Sequence, residues 1–202
     1  MEKPTANDHP IHDVLRARWS PRAFAARPVT DDELFSLFEA ARWAPSGMNA
    51  QPWAFIVARA NDASAHARMV SVLNPPNAVW AAAAPLLILA IARRERSPGV
   101  DNLWASYDLG QAMAHLSVQA SALGLVVHQM GGFNRQSARE QFQVPEGYDP
   151  LVVAAVGAAG DPAALPEELR NREMQPRTRK ALTEFVFEGM WEQSIAPLTE
   201  TA

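Results

Sequence analysis

Four short apolar runs, at residues 53–58, 86–91, 125–130 and 151–156, most tightly limit what this chain can fold into. Each is of strand length and each is bounded by turn-forming residues, so each reads as a buried strand. Helical patterns at 62–73, 101–123 and 134–142 fall between them. Such alternation ordinarily points to a parallel α/β sheet. No glycine-rich phosphate loop follows the first strand, however, so dinucleotide-binding and P-loop folds lack their defining feature.

Helix signals place the remaining segments. Residues 10–18 can open the chain as a helix with Ile11, Val14 and Leu15 on one face, and Pro21 disfavours its continuation. Residues 18–27 then read as a basic loop. Thr30 is an N-cap with Glu33 three residues on, a capping box, and Val29 and Leu34 are spaced for a hydrophobic staple. Leu34, Leu37, Phe38 and Ala41 supply the core-facing stripe, which Pro45 ends. The run Asn74-Pro75-Pro76-Asn77 reads as a loop, and residues 157–176, rich in Ala, Pro and Glu, as a surface excursion. Residues 181–186 are ambiguous between helix and strand.

Composition narrows the function classes. At 202 residues the chain suits one domain, 1–202, with 1–9 expected as a flexible N-terminus. A net charge of −4 argues against a broad nucleic-acid face, though not against a local basic pocket. There are no cysteines, which removes thiolate metal sites, iron–sulfur clusters and a catalytic thiol. The polar first ten residues lack the layout of a signal peptide. The most apolar stretch, 79–92, is interrupted by Pro85 and too short to span a bilayer. A soluble, cytoplasmic protein is the expectation.

Three constellations could carry chemistry, and each has a plain structural reading beside it. Arg18, Ser20 and Arg22 cluster in one loop, and Arg177 and Arg179 alternate in another. Arginine forks suit phosphate oxygens, yet such clusters are also ordinary solvated surface. The run from Ala44 to Trp53 places Ser46, Gly47, Asn49 and Gln51 between a capped helix and a buried strand. Its polar groups could bind a planar heterocycle or simply satisfy the turn. Gly131-Gly132 ends a strand and permits close approach of a ligand to backbone N–H groups, or forms a tight turn before Asn134. The five histidines show no metal-ligand spacing and no serine-nucleophile elbow is present. With no self-sufficient side-chain catalyst, a cofactor is expected to carry the hard chemistry.

In order and spacing these segments resemble the nitroreductase family. Arg18-Trp19-Ser20-Pro21-Arg22, then Phe24 and Pro28-Val29, is similar to its opening motif. Ala44-Pro45-Ser46, Asn49 and Gln51-Pro52-Trp53 resemble its second, the most specific match in the chain. The helix leading to Gly124, the glycines 131 and 132, and Arg177-Thr178-Arg179 with Leu182 complete a resemblance over residues 11–190.

The resemblance implies an α+β fold, mainly antiparallel, with helices flanking the central sheet and a C-terminal segment wrapping a partner subunit. It implies FMN as cofactor at the interface of a homodimer, NADPH or NADH as electron donor, and a nitroaromatic, quinone or similar small acceptor reduced by a ping-pong mechanism. Neither a metal, a nucleic acid nor a membrane enters. Arg18, Trp19 and Ser20 with Arg177 and Arg179 would hold the phosphate and ribityl end, and Arg22 would face the flavin N1 and C2 carbonyl. Ser46, Gly47, Asn49 and Gln51 would come from the other subunit, and Gly131 with Gly132 would face N5. Asn74 and Asn77 lie where some members make further flavin contacts. Trp19 departs from the family by replacing a common basic residue. Other chemistry on the same fold (dehalogenation, enal or semialdehyde reduction), flavin binding without turnover, and a plain phosphate-binding module are the alternatives.

Overall fold

The computed structural model describes residues 3, 5 and 7–195; part of the expected flexible N-terminus lies outside them. Seven α-helices and six strands follow one another among these residues. They are α1 Asp13–Ala17, α2 Asp31–Arg42, β1 Trp53–Arg59, α3 Ala63–Ser71, α4 Pro75–Ala81, β2 Leu86–Arg93, β3 Glu95–Ser97 and β4 Val100–Asp101. Then come α5 Ala105–Ala122, β5 Leu125–Met130, α6 Arg135–Gln141, β6 Tyr148–Ala158 and α7 Glu167–Met174.

The four apolar runs form one sheet in the order β1-β2-β6-β5, and every neighbouring pair is antiparallel. This replaces the parallel default and agrees with the resemblance. Strand β2 is central and apolar throughout because both of its faces are covered. Leu86, Ile88, Ala90 and Ala92 face α2 and α5, meeting Leu37, Leu109, Met113 and Leu116. Leu87, Leu89 and Ile91 face the other layer, with Met69, Trp80 and Ala138 from α3, α4 and α6. Pro150 sits in β6 opposite Ile91, at a register shift and before the pairing with β5 begins at Val153. There a missing N–H leaves no ladder bond unmade.

Three further expectations need correction. Asn74–Asn77 is not a loop: Pro75 and Pro76 are the first residues of α4, where proline's fixed φ and missing N–H cost nothing. The long helix begins at Ala105, not 101, because Val100–Asp101 pairs with Glu95–Ser97 in a small ribbon. Residues 157–176 are more than an excursion, since they contain α7 and bury Leu165 and Glu173. The ambiguous 181–186 segment contains a single 3-10 turn, Leu182–Glu184.

The basic loop is fixed to the sheet. Phe24 bridges Ala159, the Ala25 N–H donates to the Ala158 carbonyl at 3.0 Å, and the Gly160 N–H donates to the Ala23 carbonyl at 2.9 Å. A β-carbon on Gly160 would stand 2.5 Å from the Phe24 carbonyl carbon, so only glycine permits this approach. Among the described residues no helix is long and apolar enough to cross a membrane.

Candidate functional site

Two ends of the chain meet at a cavity of about 250 Å³, whose wall includes Arg18, Trp19, Ser20, Arg22, Arg177 and Arg179. Arg18 and Ser20 arrive on the fixed segment after α1, and Arg177 and Arg179 on the extended chain after α7. Arg177 Nη1 donates to the Arg16 carbonyl at 2.9 Å, which ties the two segments together. Burial pushes the Arg18 guanidinium below its ordinary range, and neighbouring Arg179 pushes it further the same way. Arg177 is lowered by burial and then by Arg18 and Arg179. Among the described residues none of these three arginines has an ion-pair partner. Three mutually repelling cations around one cavity are relieved by an anion with several oxygens.

Residues the sequence reading passed over complete this site. Lys3 and Arg172 also line the cavity, and the Lys3 ammonium stands 4.9 Å from the centre of the buried Trp19 ring. Trp19 thus lines the cavity with its ring beneath the Lys3 ammonium. Glu173 is 1% exposed, and its Oε1 accepts from the Arg22 N–H at 2.7 Å. His128 Nδ1 donates to the Pro21 carbonyl at 2.9 Å, with its ring 4.4 Å from that of Trp80. Glu173 falls four residues after the half-buried, apolar Leu169 of α7, which is the positional signal of its burial, but its acidic side chain hides it among the helix's polar residues.

The second motif lies elsewhere. Asn49 and Gln51 line a separate depression with Arg42, Trp43 and Ala44, which shares no residue with the basic cavity. The turn is built under strain: Met48, Asn49 and Gln51 have φ of 53°, 53° and 44°. Asparagine tolerates this region, but methionine and glutamine seldom adopt it, and such outliers gather at functional sites. The strain is held by internal bonds. The Gln51 N–H donates to Ser46 Oγ at 3.0 Å, and the Gly47 N–H donates to Oδ2 of the buried Asp108 at 3.2 Å. Met48 is 85% exposed and Trp43 72% exposed, so this strained turn presents its side chains outward.

Gly131 and Gly132 differ. A β-carbon on Gly131 would meet nothing, so its backbone faces open space. At Gly132 it would stand 2.8 Å from Asn77 Nδ2, which donates to the Gly132 carbonyl at 3.0 Å. The second glycine thus lies against the Asn77 side chain of α4, and Asn77 is engaged in holding the strand end. Among the described residues no group of three or more His, Asp or Glu stands ready to hold a metal ion.

The chain is similar in sequence and fold to known proteins. The profile described as the Nitroreductase family matches residues 15–158. A crystal structure described as an oxidoreductase containing FMN is 33% identical, with a TM-score of 0.87 over 93% of this chain and 96% of its own. A nitroreductase family protein of Clostridium difficile 630 is 25% identical, with a TM-score of 0.71 over 89% of this chain and 98% of its own. A provisionally named NAD(P)H nitroreductase of Bacillus subtilis (strain 168), YodC, is 27% identical over 75% of this chain and 90% of its own. With the matched profile covering the sheet and both flanking layers, the chain belongs to the nitroreductase family of oxidoreductases.

Proposed function

We propose that the chain is an FMN-dependent enzyme, one domain per subunit. It draws electrons from NADPH or NADH and passes them to a small electron-poor acceptor such as a nitroaromatic or a quinone. The observation that carries this reading is the cavity in which Arg18, Arg177 and Arg179 converge without a carboxylate partner among the described residues. Its size and its donors suit the phosphate end of FMN. When bound, FMN supplies hydride transfer, alternately with donor and acceptor, in a ping-pong order.

The chain's own residues bind and bias that chemistry. Arg18, Arg177 and Arg179, with the Ser20 hydroxyl, hold the phosphate. Arg22 offers a fixed cation to the edge of the ring on which negative charge accumulates during reduction, an electrostatic effect that a preorganised site delivers at little cost. The open backbone at Gly131 lets the ring approach a peptide N–H. Ser46, Gly47, Asn49 and Gln51 lie outside the basic cavity of their own chain, which supports their serving the site of a second copy in a homodimer.

Anaerobic titration tests the reading. The purified protein is expected to be yellow, to bleach with NADPH or NADH, and to recover its colour with a nitroaromatic or quinone. A protein that stays colourless after FMN is added sinks it. Bound FMN that neither nucleotide bleaches would leave a flavin-binding protein without turnover.

A further inference from the structure

The basic cavity contains one carboxylate, and its presence is unexpected on electrostatic grounds. Among the described lining residues Glu173 alone is acidic, and any anion entering the cavity is repelled by it. A site evolved only for anion affinity would gain by losing this group. Yet Glu173 is 1% exposed, and a buried carboxylate persists only where it is fully paired.

Its pairing is specific. Oε1 accepts from two successive backbone N–H groups, Arg22 at 2.7 Å and Ala23 at 3.3 Å. Consecutive N–H groups of this kind make an anion cradle in the chain itself. Oε2 stands 3.4 Å from Arg22 Nη1. The same carboxylate therefore holds both the backbone and the side chain of one arginine. Other clamps act on this segment: His128 on the Pro21 carbonyl and the Gly160 N–H on the Ala23 carbonyl. Glu173 differs from them in gripping the guanidinium, and it leaves that group's remaining N–H donors for a ligand.

We infer that Glu173 is a positioning residue: through Arg22 it fixes the direction, and offsets part of the charge, of the cation that faces bound FMN. This rests on the FMN reading above. The carboxylate opposes accumulation of negative charge on the ring and steadies the group that favours it. Its charge thus sets how readily FMN is reduced, while its bonds to the Arg22 and Ala23 N–H groups hold the segment on which FMN binding depends.

Glu173→Gln separates the two. The amide oxygen still accepts from the Arg22 and Ala23 N–H groups, so FMN affinity, measured by fluorescence quenching, is expected to stay within about threefold of wild type. Removal of the negative charge should shift the two-electron reduction equilibrium toward reduced FMN by about tenfold. That is a rise of about 30 mV in the potential read against a reference dye. Glu173→Ala, which also abandons both N–H groups, should weaken FMN binding at least about tenfold and, in FMN-free protein, speed hydrogen exchange at the Arg22 and Ala23 amides.

An unchanged potential in Glu173→Gln overturns the inference while the FMN reading stands. Wild-type protein that does not bind FMN overturns both. If the variants fail to fold, amide exchange in wild-type FMN-free protein decides. Slow exchange at Arg22 and Ala23 is expected, and exchange as fast as in exposed loops refutes the clamp.

Discussion

The ring of His128 lies between Trp80 and the Pro21 carbonyl, and burial pushes its pKa below the ordinary histidine value, with Arg22 adding to the effect. A depressed pKa means that the unfolded chain takes up a proton more readily than the native one. Stability from this group is therefore full above pH about 6.5 and falls as the pH drops toward the native value. His128→Gln, which keeps an N–H donor but cannot titrate, is expected to flatten the thermal midpoint across that window. A wild-type curve no steeper than the variant's would refute this. The neighbouring Glu173 shows why such residues escape the sequence. Arg18, Ser20, Arg177 and Arg179 could be singled out because clustered guanidinium groups suit phosphate oxygens, and the fold brings them to one cavity. A glutamate on a mostly polar helix reads as solvent-facing, and only its four-residue spacing from Leu169 points to the burial of Glu173.

Helix α2 carries the best-defined local signal, and it is built as its residues dictate. Thr30 Oγ1 accepts from the Glu33 N–H at 3.2 Å, and Glu33 Oε2 accepts from the Thr30 N–H at 2.9 Å. Arg27 adds a charged partner, and chiefly through it the Glu33 carboxyl is lowered from 4.5 to about 2. The sign follows: Glu33 contributes stability above pH about 4.5, lost as the pH falls toward about 2. Thr30→Ala is expected to cost about 1 kcal/mol in urea unfolding at neutral pH, and Glu33→Gln to remove part of the acid-range slope. Elements without so plain a signal were misread. Two prolines beside two asparagines look like a loop until proline is allowed its place in the first helical turn, as in α4. Strand positions followed from apolar runs, but strand direction did not. A run buried on both faces reads the same whether its neighbours are parallel or antiparallel.

At the scale of the whole molecule, the two halves of the proposed site lie in separate depressions of one chain. The strained turn at residues 48–51 stands beside a surface too apolar for solvent. Leu103 is 86% exposed, Trp104 59% and Tyr107 65%, and Trp104 packs near Gly47. Apolar patches of this kind mark interaction surfaces, and in a two-fold dimer each patch serves both copies. On the proposed assembly, a second copy covers this patch and brings its own strained turn to the basic cavity. Dimerisation and FMN retention are then coupled through mass action. Replacing Trp104 and Tyr107 together with glutamate should weaken the dimer at least about 100-fold, since like charges would face one another across the axis. Sedimentation velocity across a dilution series reads this, and absorbance of the same fractions reads bound FMN. Monomeric protein should lose FMN although Arg18, Ser20, Arg177 and Arg179 are untouched. A monomer that keeps its FMN would mean that the basic cavity suffices alone, and that the second motif serves some other purpose.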